Sequence, residues 1–218
     1  RRAAVTTPTY ENAFLEAART CRAQGDTAGS LTWLERAARR SSRLGWASLG
    51  EGSAAPAPDP ETLLRDAPWR GRLLAWCGEA LLSRGESARA LARLDEALVA
   101  TPRFLWAHAW RGEALRALGN PIEAERALRL CTKGAPRYTR AWVALATMLY
   151  ETGRPREALT ACGRALALEP DWALTLYTRG LILRKLGRNE EALRALDACL
   201  AIDDRFEQAR IERSSLER

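Results

Sequence analysis

Apolar residues return along this chain at a fixed interval of 34. Counting from residue 71, position 8 of successive units holds a small residue (Gly78, Gly112, Ala146, Gly180), as do position 20 (Ala90, Ala124, Ala158, Ala192) and position 27 (Ala97, Cys131, Ala165, Cys199). Larger apolar side chains occupy position 11 (Leu81, Leu115, Leu149, Leu183) and position 24 (Leu94, Leu128, Cys162, Leu196). Such a pattern predicts two amphipathic helices per unit, helix A over roughly positions 1–14 and helix B over roughly 17–30. Small residues at 8 and 20 let the two lie close together.

Punctuation residues keep the same period. Gly85, Gly119, Gly153 and Gly187 at position 15 supply the left-handed backbone that ends helix A. In one unit Asn120 and Pro121 read as N-cap and first residue of helix B, with Glu123 where a capping-box partner belongs. Pro68, Pro102, Pro136 and Pro170 at position 32 stop helix B. Two residues later stand Phe104, Tyr138, Trp172 and Phe206, placed to pack as hydrophobic staples on the first turn of the next helix A.

The expected organisation is four regular units, 71–104, 105–138, 139–172 and 173–206, with no insertion between them. A degenerate helix pair is expected at 11–44, where Ala17, Ala18, Gly25, Ser30, Leu34 and Ala37 match positions 7, 8, 15, 20, 24 and 27. Residues 1–10 form an N-terminal arm. Residues 45–70 read as a linker, with a Gly/Ala/Pro-rich loop at 50–60 and a short helix over ETLLRDA at 61–67. The polar stretch 207–218 reads as a C-terminal capping helix.

The segment AWVALATMLYETGRPREALTACGRALALEP at 141–170 resembles the tetratricopeptide repeat. Trp142, Leu145, Ala146, Leu149, Gly153, Ala158, Ala165 and Pro170 fall on its signature positions, and the likeness extends closely over 71–206. The resemblance implies an all-α fold, an α-solenoid of antiparallel helix pairs wound as a right-handed superhelix, with A helices lining a concave wall. It further implies that positions 2, 5, 6, 9, 12 and 13 of helix A face a partner. Carried onto this chain, those positions include Arg72, Trp76, Trp106, Trp110, Arg116, Arg140, Tyr150, Tyr177, Arg184 and Lys185. The Lys and Asn with which some members clamp a C-terminal carboxylate are absent from positions 2, 5, 6 and 9 here.

Bulk properties narrow the picture further. The 218 residues are 47% apolar and 28% charged, which suits a packed core rather than a disordered chain. The formal charge is +7, but the basic residues are nearly all Arg in an Ala- and Leu-rich chain, a bias that genome composition also produces, so nucleic acid is not singled out. There is no apolar run of membrane-spanning length. The opening RRAAVTTPTY carries neither an initiator Met nor an apolar signal stretch, as a fragment or processed chain would. Five Cys without a CxxC pair point to a reducing, cytoplasmic setting and to no metal site. The five fall at interior positions, and the single histidine, His108, at a packing position.

Nothing in the sequence supplies a nucleophile elbow, a phosphate-cradling loop or a metal-ligand spacing, so no catalytic residue and no cofactor is expected. The expected function is a non-catalytic scaffold holding a protein or peptide segment, acidic and aromatic in character, in the groove. The alternatives are a nucleic-acid-binding repeat, an interaction module of a larger enzyme, and a self-assembling array. The three tryptophans at 76, 106 and 110 need apolar cover, which a partner, the N-terminal part of this chain or a neighbouring repeat could each provide.

Overall fold

The computed structural model describes residues 70–216, together with residue 32. The expectations for 1–10, 11–44, the linker before residue 70 and Cys21 lie outside the described residues. Within 70–216 the described residues form helices and no strand. These are α1 (Arg70–Ser83), α2 (Ser87–Ala100), α3 (Leu105–Ala117), α4 (Pro121–Gly134), α5 (Thr139–Glu151), α6 (Pro155–Leu168), α7 (Ala173–Lys185), α8 (Asn189–Ile202) and α9 (Glu207–Leu216). The fold is all-α, of the α-solenoid class. The odd-numbered helices are the A helices and the even-numbered the B helices. The chain divides into two compact units, one ending at Ala114 and one beginning at Leu115, so the division falls inside α3.

Each pair forms because its turn is short and its glycine permits the reversal. Gly85, Gly119, Gly153 and Gly187 have φ between 74° and 78°. At every one the same two hydrogen bonds close the A helix: Gly153 N–H donates to Tyr150 O at 3.2 Å and Arg154 N–H to Leu149 O at 2.8 Å, and the other three repeat the scheme. This is the Schellman arrangement, which satisfies carbonyls that the helix end would leave open. The B helix then folds back on its A helix, as α2 does on α1, α6 on α5 and α8 on α7.

Close approach within a pair depends on position 8. A Cβ built on Gly78 would stand 2.5 Å from Leu94 Cγ, and one on Gly180 would stand 2.8 Å from both Cγ and Cδ2 of Leu196. The small residue at 8 thus seats the large one at 24. Asn120 and Pro121 do stand at the N-cap and first helical positions of α4, but the Asn120 side chain makes no capping hydrogen bond. Glu123 pairs instead with Arg126 at 2.7 Å.

In the first unit Leu74, Leu81, Leu94, Ala97, Ala107 and Trp110 form one core. In the second, Leu176, Leu196, Cys199 and Ala209 do so, with Phe206 and Leu216 packed on them, which docks α9 against α7 and α8. The position-34 aromatics face both ways. Phe104 lies 6.0 Å and 6.1 Å from Trp106 and Trp110 of the helix that follows it. Phe206 lies 5.0 Å from Tyr177, in the A helix before it.

On the outer helices of the second unit, Arg154 donates to Glu125 at 2.7 Å and to Glu157 at 2.6 Å. Arg129 reaches the same two carboxylates at 2.7 Å and 3.3 Å. Burial alone would raise the Glu125 carboxyl, but the hydrogen bonds from Arg129 and Arg154 outweigh it and hold it below its ordinary value.

Candidate functional site

The A-helix faces carry the sequence-predicted contact residues, and the two units treat them differently. In the first unit Trp76, Trp106 and Trp110 converge. Trp76 and Trp110 lie 5.2 Å apart, Trp76 and Trp106 6.3 Å, and Trp106 and Trp110 6.5 Å, in tilted or edge-on arrangements that aromatic rings favour. Only Trp106 offers much surface, at 40% exposed, whereas Trp110 is 2% exposed and belongs to the core. The expectation of Trp110 as a contact residue is therefore corrected: position 6 points in among α1, α2 and Phe104, and the ring supports Trp106 from behind. Trp110 also buries its indole N–H without an acceptor among the described residues. Trp76 is half-buried and Arg72 exposed. Position 5 is sealed in this unit, at Ala75 and Ala109.

In the second unit the predicted cations turn toward their own chain. Arg116 donates to Glu151 at 2.7 Å, thirty-five residues away. Arg184 pairs with Glu212 of α9 and reaches Ser215 Oγ at 3.2 Å. Lys185 donates to Tyr150 O at 3.3 Å, with its ammonium 4.7 Å from the centre of the Tyr150 ring. Arg140 is half-buried and already engaged. Tyr177 stacks on Phe206, and burial, with the Glu212 carboxylate near it, raises its phenol above the ordinary value. Positions 5 and 6 are again sealed at Val143, Ala144 and Thr178, while Leu174 at position 2 is 41% exposed.

The structure adds two features to the predicted contact set. Leu174, at position 2, is an exposed apolar anchor, and Glu151 and Glu212 are the partners of the position-12 arginines. The pairing is legible in principle, as opposite charges on successive A helices. The ring nitrogens at position 4 have a structural use: His108 Nε2–H donates to Pro102 O at 3.0 Å, and Trp142 Nε1–H to Pro136 O at 2.8 Å. Each ties a helix to the proline carbonyl six residues before it. Among the described residues no three His, Cys, Asp or Glu side chains gather as a metal ion would require, and no helix is long and apolar enough to cross a membrane.

Family profiles described as "Tetratricopeptide repeat" match residues 139–172 and 173–206, and in a second form 13–36, 71–96 and 105–129, which together exceed half the chain. The chain belongs to the tetratricopeptide repeat family. No curated protein sequence matches it. Among solved structures it is similar to a thermophilic TPR protein of Thermus thermophilus, with TM-score 0.73 and 21% identity over 95% of this chain and 98% of that one. It is also similar to MamA from Desulfovibrio magneticus RS-1, with TM-score 0.61 and 17% identity over 91% and 98%. A third is YrrB, a TPR protein with an unusual peptide-binding site, with TM-score 0.58 and 16% identity over 94% of both chains. At these identities the likeness speaks for the TPR fold.

The TPR cysteines described here, Cys77, Cys131, Cys162 and Cys199, are free and buried. Cys162 donates its thiol hydrogen to Thr175 O at 3.4 Å, and burial pushes its pKa up to about 11. At pH 8 it is expected to react with a thiol reagent roughly a hundredfold more slowly than an ordinary cysteine near 8.5. The sign for stability follows: an unfolded Cys162 ionises near its ordinary value and the folded one only near 11, so its contribution is complete below the former and falls toward the latter. Labelling read by mass spectrometry checks this, and native Cys162 reacting as fast as in urea would contradict it.

Proposed function

We propose that the chain is a non-catalytic protein-interaction scaffold whose A helices hold a partner segment by their first turns. The observation that carries the reading is an exposed position-2 side chain in each unit taken by itself, Trp106 at 40% in the first and Leu174 at 41% in the second. In α1, α3, α5 and α7 positions 5 and 6 are largely sealed, so in these helices position 2 is where a large apolar side chain meets water. Exposed Trp beside Arg is the composition of interface hot spots, and Arg72 stands exposed one repeat before Trp106. The position-12 arginines already hold carboxylates. Acidic groups of a partner would have to displace Glu151 or Glu212, so apolar and aromatic side chains are the stronger determinant, and Arg72 is an exposed cation that an acid could meet. The family, and the peptide-binding site named for YrrB, support a peptide-like ligand.

The test is capture of partners by the intact chain, repeated with Trp106→Ala and with Leu174→Ala. A partner held by the substituted anchor is expected to be lost or weakened about tenfold or more, at unchanged helicity and with a shallow salt dependence. Retention by both variants would refute the reading. Binding of single-stranded nucleic acid that weakens steeply with salt would favour the nucleic-acid alternative.

A further inference from the structure

Many charges on the outer side of the second unit are spent within the chain, as Arg129 and Arg154 are on Glu125 and Glu157, and Arg188 on Glu191. The edge at the C-terminal ends of α4 and α6 differs. Lys133, near the end of α4, and Arg137, in the loop after it, are exposed and have no ionic partner among the described residues. Asp171, in the loop after α6, is exposed and unpaired in the same way, close to the exposed Glu169. Each end also shows water a leucine. Leu130, one turn before the end of α4, is 48% exposed, and Leu168, the last residue of α6, is 36% exposed.

The two ends are neighbours. Thr139, the first residue of α5, donates its hydroxyl hydrogen to Glu169 Oε1 at 2.6 Å. That bond sets the loop after α6 against the start of α5, and the loop after α4 runs directly into the same start. The Trp142 indole holds this second loop by its bond to Pro136 O at 2.8 Å. A basic end and an acidic end therefore stand side by side, each with its leucine, on loops fixed by hydrogen bonds.

Such an edge is complementary to itself. A second copy turned by half a revolution about a line between the two ends sets its acidic end on the basic one and its basic end on the acidic one. An outside protein would have to reproduce both charges and both apolar groups at this spacing, whereas another copy of the chain carries them already. We infer that this edge is the interface of a two-fold dimer of the chain. Exposed ion pairs contribute little each, so Leu130 and Leu168 supply the attraction and the charges fix the orientation. Pairing like ends would set cation on cation and acid on acid. The inference does not rest on the partner reading of the position-2 anchors, because it is tested on the chain alone.

Sedimentation of the full chain between about 1 and 100 μM is expected to show a reversible monomer–dimer equilibrium that weakens as salt is added. Arg137→Asp and Asp171→Arg, each alone, are expected to weaken the dimer at least about tenfold at unchanged helicity, since each sets like charges together at both contacts. Mixed in equal amounts, the two variants are expected to recover a one-to-one dimer, because both contacts then join opposite charges. A strict monomer throughout the range would overturn the inference and leave the edge to an outside protein. A dimer indifferent to both substitutions would place the interface elsewhere, and growth beyond the dimer would overturn the two-fold in favour of head-to-tail assembly.

Discussion

Trp110→Ala is expected to destabilise the first unit by about 3–5 kcal/mol, the range for deleting a large buried ring. The ring is 2% exposed and contacts Trp76, Phe104 and Trp106 at once, so its removal leaves a cavity whose walls are themselves stiff aromatics. Trp110→Phe is expected to cost far less. It keeps an aromatic ring in place and removes an indole N–H that has no acceptor among the described residues, so part of the packing loss is offset by ending a buried polar group's isolation. Urea unfolding followed by circular dichroism reads both, as a lower midpoint at similar slope. If Trp110→Ala shifted stability by less than about 1 kcal/mol, the ring would not be the keystone of that core.

Gly180→Ala is expected to destabilise the second unit, against the usual rule that alanine improves a helix. The propensity gain is at most about 1 kcal/mol. The opposing effect is a methyl group 2.8 Å from Leu196 Cγ and Cδ2, and Leu196 is itself fully buried and has nowhere to retreat. Overpacking of that kind costs about 1–3 kcal/mol, so the steric effect wins. The chain already contains the compensated pair. One repeat earlier Ala146 stands at position 8, and position 24 is Cys162, smaller than the leucine found in the other three units. Leu196→Cys alone is expected to leave a cavity, while Gly180→Ala with Leu196→Cys is expected to be more stable than the sum of the two losses predicts. A double-mutant cycle measures this coupling directly. Strict additivity would mean that positions 8 and 24 do not set one another's size.

Those two variants also mark how far a linear reading goes. The Gly180 and Leu196 relation was open to inspection in the letters, because residues sixteen apart in one helix pair meet, as Gly78 and Leu94 also do, and the period repeats the small-to-large match. Trp110 was not. A helix face can be drawn from spacing, but whether Trp110 on that face meets water depends on what Trp76 and Phe104 bring to it. The same holds for Arg116 and Arg184. Their positions placed them on the A-helix face, yet Glu151 and Glu212 neutralise them from one repeat further along the chain.

The amino-acid sequence by itself determined the helices, their 34-residue period, the glycine turns with positive φ and the matching of small to large residues within a pair. All of these follow from interactions between residues a few turns apart, for which spacing is sufficient information. The tertiary structure alone decided which positions of the A helices stay open, which arginines are already paired, and that Trp106 and Leu174 rather than Trp110 meet solvent. Burial and pairing belong to whatever approaches a side chain from elsewhere in the fold, and periodicity does not encode that.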